Sequence, residues 1–187
     1  MFVQGAQCAI ALAKPTAHRN ERLVGEVEVP KCGQIRDTAL VALVEGIAAI
    51  GVTSLAQVEL GITLTDDAHQ RELNRRYREQ DVSTNVLAFH AWEPRTLAPV
   101  GAPVLLGDVV IALETVTREA EEQAKLFCDH VRHLIVHGVL HLLGYDHKRD
   151  ADGITMERLE TSILSKLGVR DPYQDNDRAI ESESVHA

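Results

Sequence analysis

The eleven residues HGVLHLLGYDH, from His137 to His147, decide how this chain is read. His137 and His141 are four apart, so on a helix their imidazoles leave the same face about one turn apart. Gly144 follows three residues later and can take the positive φ that ends a helix. The chain can then swing back and bring His147 to the other two. Three neutral imidazoles from a helix and its turn match a catalytic site for one zinc ion, with a fourth position open to water. The stretch predicts a zincin-like metal-binding helix, and it points to metal-dependent hydrolysis.

The same H-x-x-x-H-x-x-G-x-x-H spacing marks metzincin peptidases, with one difference. Those enzymes carry Glu directly after the first His, as general base for the attacking water. Here that position is Gly138, which has no side chain to take a proton. The residues can bind a metal and polarise water, but they lack the peptidase base.

Outward from this stretch, the metal-binding helix is expected from about Asp129 to Leu143, preceded by a charged helix near Val116–Lys125. A last helix, roughly Ala151–Leu167, places Met156, Leu159, Ile163 and Leu167 inward and ends at Gly168. Upstream, Val58, Leu60, Ile62 and Leu64 alternate with Glu59, Gly61, Thr63 and Thr65, a half-buried strand. Val104–Ala112 reads as an apolar strand interrupted by Gly107 and Asp108, and Thr84–Phe89 as a short one. The proline- and glycine-bearing stretch Ala91–Pro103 reads as a loop. A helix capped by Asp66 or Asp67 puts His69, Leu73 and Tyr77 on one face, and an earlier helix starts near Asp37 or Thr38. Cys8–Leu12 and Leu23–Val29 are candidate strands.

A chain of 187 residues, 45% hydrophobic, suits one globular domain with a sizeable core. We expect that domain over residues 1–173, followed by a polar, acidic and disordered tail at 174–187. The net charge of −9 gives no overall field for nucleic acid, so a polyanion would need a local basic patch. Cys8, Cys32 and Cys128 are widely spaced and form no C-x-x-C pair, which suits a reducing compartment. No run approaches the apolar length of a membrane span. The expected location is the cytoplasm.

Five stretches, in order, carry a family resemblance: LNRRYR at 73–78, TNVLAF at 84–89, LLGDVVI at 105–111, the histidine stretch, and LGVRDPY at 167–173. In these the chain resembles the YbeY family of rRNA-maturation endoribonucleases. The family pattern around Thr84 tends to read T-[DN]-V-L-S-F-P, whereas Ala88 and His90 stand here for the serine and the proline. The resemblance implies an α+β fold, a small mixed sheet flanked by helices, with His137, His141 and His147 holding one Zn2+. It also implies a nuclease specific for single-stranded RNA, acting with the ribosome or its small subunit in 16S rRNA 3′-end processing and ribosome quality control. The family's functional arginine falls at Arg78.

That role fits the chemistry of the residues. Zinc lowers the pKa of bound water toward neutrality, so phosphodiester cleavage needs no strong protein base. A guanidinium offers two-pronged donors to the charge that builds on phosphoryl oxygens. The attacking group is left open between water and the RNA 2′-hydroxyl. Arg71, Arg75, Arg76 and Arg78 form a basic cluster, readable either as an RNA contact or as a solvated face balanced by Glu72 and Glu79. His133 could support the site from behind or be an ordinary helix residue. Asp146 could orient an imidazole or shape the turn, Asp108 could approach a cleft or serve a bulge, and Met156 reads as core. Two alternatives stand beside the nuclease: a zinc peptidase-like hydrolase with another base, and a zinc-stabilised, ribosome-associated binding module.

Overall fold

Strands and helices follow one another here because the apolar period switches between two and three-to-four along the chain. The structure, a computed structural model, describes residues 7–13, 31–50, 57–91 and 104–174. In chain order its elements are β1 (Gln7–Ala13), α1 (Cys32–Ala49), β2 (Gln57–Thr65), α2 (Asp67–Arg78), β3 (Val86–His90), β4 (Val104–Ala112), α3 (Leu113–Glu122), α4 (Phe127–Leu142) and α5 (Asp150–Lys166). The candidate strand at Leu23–Val29, most of the Ala91–Pro103 loop and the tail beyond Gln174 lie outside the described residues.

The four described strands form a mixed sheet in the order β1-β2-β4-β3. β1 with β2 and β2 with β4 run parallel, while β3 pairs antiparallel with β4 at one edge. This is the α+β arrangement expected. Between Glu59 and Leu60 the β2–β4 register slips by one residue, a bulge that leaves Leu106 without a partner in β2. Gly107 permits it: its φ is +136°, and a Cβ there would stand 2.1 Å from the Phe89 carbonyl oxygen.

One face of the sheet carries Leu60, Ile62, Val109 and Ile111, all buried. Helix α4 lies on this face and also packs against α1, α3 and α5, which explains why its residues are buried on nearly every side. At the α1–α4 crossing a Cβ on Gly46 would stand 2.4 Å from Leu143 Cδ1, so the glycine lets the two helices approach. The opposite face is covered in part by α2, through Gln70, whose amide donates to the Val110 carbonyl at 3.2 Å.

Two readings are corrected, the starts of α1 and of α3. Helix α1 begins at Cys32, ahead of Asp37 and Thr38, because the Gln34 side chain accepts from the Lys31 N–H at 2.9 Å. Thr38 is interior and bonds back to the Gln34 carbonyl. Helix α2 is capped by Asp66 as expected; its buried residues are Gln70 and Asn74, while Tyr77 is 58% exposed. Helix α3 starts at Leu113, directly off β4, ahead of Val116. Among the described residues no helix is long and apolar enough to cross a membrane.

Candidate metal centre

Toward its C-terminus helix α4 places His137 and His141 one turn apart. Gly144 takes φ +89°, with its N–H on the His141 carbonyl and the Tyr145 N–H on the Leu140 carbonyl. The helix therefore ends as the sequence predicts. The Asp146 carboxylate accepts from the His147 N–H at 2.8 Å, so Asp146 shapes the turn that returns His147. One ring nitrogen from each of His137, His141 and His147 lies within 4.8 Å of the others, the spacing of a trio that could hold a metal ion.

Hydrogen bonds behind the rings set which nitrogens face one another. His141 Nδ1 lies 2.9 Å from the Tyr145 carbonyl, which can only accept, so Nδ1 carries the proton. Burial, and then the charge of His137, bring the His141 pKa down to about 4. Its Nε2 is bare near neutral pH. His137 Nδ1 donates to Glu160 Oε1 at 2.8 Å, so in neutral His137 the Nε2 is bare too. These two Nε2 atoms face each other at 3.0 Å. Two lone pairs pointed together make no hydrogen bond, whereas a shared cation satisfies both. The donor set fits a divalent metal.

Glu160 was not anticipated. It is fully buried on α5, where Met156 and Ile163 mark the inward stripe. Its Oε2 takes a hydrogen bond from His133 Nε2 at 3.2 Å and a second from the Tyr173 hydroxyl. Burial by itself would raise its pKa, but the bonds from His133 and His137 reverse that and hold it at about 2. The signal was available: a carboxylate spaced four from Met156 on a buried face must find donors. His133 is not among the converging ring nitrogens and stands behind the site, sharing this carboxylate.

The trio opens into a cleft of about 540 Å³ between α4 and β3. Ala88 and His90 of β3 line it, as does Arg78 from the last residue of α2. His90, one of the two departures from the family pattern, hydrogen-bonds through Nε2 to the His141 carbonyl at 2.7 Å. Asp108 lies elsewhere: its strand neighbour Val109 faces α4, so Asp108 points to the opposite face, where it packs over Gly61. Met156 is core.

Gly138 also lines the cleft, and its neighbour explains the missing base. A Cβ there would stand 2.6 Å from Val109 Cγ1 and 3.0 Å from Cγ2. Helix and strand touch at this point, so a side chain here would have to displace the Val109 methyl groups.

The arginine cluster divides into two kinds. Arg71 makes a two-pronged pair with Asp81 at 2.7 Å, and Arg75 pairs with Glu72 at 2.7 Å. The guanidinium carbon of Arg76 lies 5.4 Å from the centre of the Tyr77 ring. Arg78 has no ion pair among the described residues, and of the four it alone lines the cleft.

Residues 31–168 match the family model described as Endoribonuclease YbeY. The chain belongs to the endoribonuclease YbeY family. A relative of that name from Rhodopseudomonas palustris is 50% identical over 135 residues, covering 72% of this chain and 80% of the relative. Another, from Rhodospirillum rubrum, is 47% identical over 153 residues, covering 80% and 76%. A Thermotoga maritima protein of known solution structure shares the fold, with a TM-score of 0.51 at 19% identity over 86% of this chain and 91% of that one.

Proposed function

We propose that this protein is a zinc-dependent endoribonuclease that cleaves single-stranded RNA, with His137, His141 and His147 as metal ligands and Arg78 as the catalytic cation. The observation that carries the reading is the placement of Arg78 in the same cleft as the three converging imidazoles. When bound, a zinc ion supplies a Lewis acid for phosphoryl oxygens and makes water a better nucleophile near neutral pH. Glu160 and the Tyr145 carbonyl keep the Nδ1 protons of His137 and His141, leaving both Nε2 atoms free to bind. Arg78 grips the scissile phosphate through paired N–H donors, which strengthen as negative charge gathers there. The family name carries the substrate class to this chain. Ribosomal RNA of the small subunit, 16S 3′-end processing, ribosome quality control and a cytoplasmic location belong to the same proposal, and we assign the activity to a single domain over residues 1–173.

The peptidase alternative is not favoured, because Gly138 supplies no base at the peptidase position, a Cβ there would crowd Val109, and the relatives are endoribonucleases by name. A zinc-stabilised binding module would bind RNA without cutting it.

The test is cleavage of a labelled single-stranded RNA. Chelation and His141→Ala should abolish cleavage, and Arg78→Ala should lower kcat/KM by roughly 10²–10³. Full activity in all three preparations would refute the proposal. A 2′,3′-cyclic phosphate on the product would identify the RNA 2′-hydroxyl as the attacking group.

A further inference from the structure

Glu160 is a fully buried carboxylate on α5, outside the eleven residues that carry the ligand trio. Three donors converge on it: His137 Nδ1, His133 Nε2 and the Tyr173 hydroxyl. Tyr173 closes the LGVRDPY stretch, which the proposed chemistry leaves without a task. The local backbone fixes its position: Gly168 turns at φ +70°, the Val169 N–H returns to the Leu164 carbonyl, and Asp171 accepts from the Tyr173 N–H at 3.0 Å. Arg132 of α4 holds the Leu167 carbonyl at 2.8 Å, and Lys125 holds the Pro172 carbonyl at 3.2 Å. The post-helix segment is therefore tied down at both ends.

We propose that Glu160 is a positioning residue for the metal centre, and that the segment from Leu167 to Tyr173 belongs to that centre because its tyrosine holds the carboxylate in place. An imidazole rotates freely about its bond to Cβ, and it can carry its proton on either nitrogen. The carboxylate removes both freedoms at His137. It accepts the Nδ1 proton, so the tautomer is the one with Nε2 bare, and the bond fixes the ring plane. The Tyr173 hydroxyl and His133 occupy the other oxygen, so the carboxylate does not swing away from His137. Tyr173 and His133 thus act on the ion only through Glu160 and His137.

This inference rests on the metal-site reading, and the experiment separates the two. Zn2+ affinity is measured by competition with a chromophoric chelator for the parent and for Glu160→Gln, which keeps size and removes charge. The variant should bind Zn2+ about 10–100-fold more weakly with unchanged circular dichroism. A parent that binds no Zn2+ sinks the metal site itself, whereas a folded Glu160→Gln with parental affinity sinks only the role of Glu160. The second measurement needs no variant. Imidazole nitrogen NMR of the zinc-free parent should show His137 protonated at Nδ1, and an Nε2-protonated ring would overturn the proposal even if Glu160→Gln did not fold. In Tyr173→Phe the ring stays and the hydroxyl goes. His137 should then lose its single tautomer and the zinc-free protein should show exchange between the two, while an unaltered His137 signal would remove the tyrosine from the network.

Discussion

At Gly138 the absence of a side chain is a packing requirement as much as a chemical difference. Val109 stands where a Cβ would go, and it belongs to a central strand whose neighbours on both sides are paired. We expect Gly138→Ala to cost about 1–3 kcal/mol, the range for forcing atoms into a filled core. Adding Val109→Ala should recover part of that loss, and urea unfolding of the two single variants and the double variant would measure the coupling. A Gly138→Ala protein as stable as the parent would show that the strand yields readily. The convergence of the three imidazoles, the φ of Gly144 and the turn role of Asp146 were legible in the sequence because each depends on near neighbours. For Glu160 only the need for donors was legible, from its place on a buried stripe, because the donors themselves, His133, His137 and Tyr173, are gathered by tertiary packing.

Helix α2 shows what element-scale reading can and cannot supply. Its start was legible from Asp66, whose side chain accepts the His69 N–H. The direction of its buried face was not, because Gln70 and Asn74 point inward to backbone carbonyls of Val110 and Val82. Apolar periodicity has no means of marking such a face. The same helix divides its arginines, and this division predicts how RNA binding should respond. Arg71 and Arg75 already hold carboxylates, whereas Arg78 meets the cleft. Arg78→Ala should weaken binding of a single-stranded RNA and reduce the slope of log affinity against log salt by about 0.7 for each phosphate left without its counter-charge. Arg75→Ala should change neither by a comparable amount. Fluorescence anisotropy at several salt concentrations decides this, and equal losses for both variants would contradict the assignment. Helix α1 was misplaced at its start for a related reason: a glutamine three residues into the helix does the capping, where Ser, Thr, Asp or Asn was sought.

Taken whole, the molecule buries imidazoles whose charged form it resists. Burial lowers the pKa of His130 despite its bond to Glu119, and burial with neighbouring charge brings His141 from 6.5 to about 4. In each case the unfolded chain takes up a proton at a higher pH than the native state does. Stability of the zinc-free protein should therefore rise with pH through this window. The contribution is complete above about pH 6.5 and is lost as pH falls toward 4. The upper part of the window lies above ordinary carboxylate titration. Urea midpoints measured in chelator should decline on acidification there, and a flat profile would count against neutral, buried rings. Alternating apolar and helical periods marked most of the strands and helices, and the family resemblance implied the α+β architecture, but neither the strand order nor the β2–β4 register slip at Leu106 was legible. A bulge is a relation between two strands, and Gly107 by itself could have marked several kinds of turn.

All three converging imidazole rings come from the segment between His137 and His147, so a denatured chain keeps them within a few residues of one another. Closing so short a loop around an ion carries a small entropic cost, so if these rings hold zinc as proposed, the unfolded ensemble should retain appreciable affinity for it. Added zinc should accordingly raise Tm by less than native-state affinity alone dictates. Thermal scans across a series of buffered free-zinc levels would reveal the shortfall, and a rise matching the full linkage value would mean that denaturation scatters the rings.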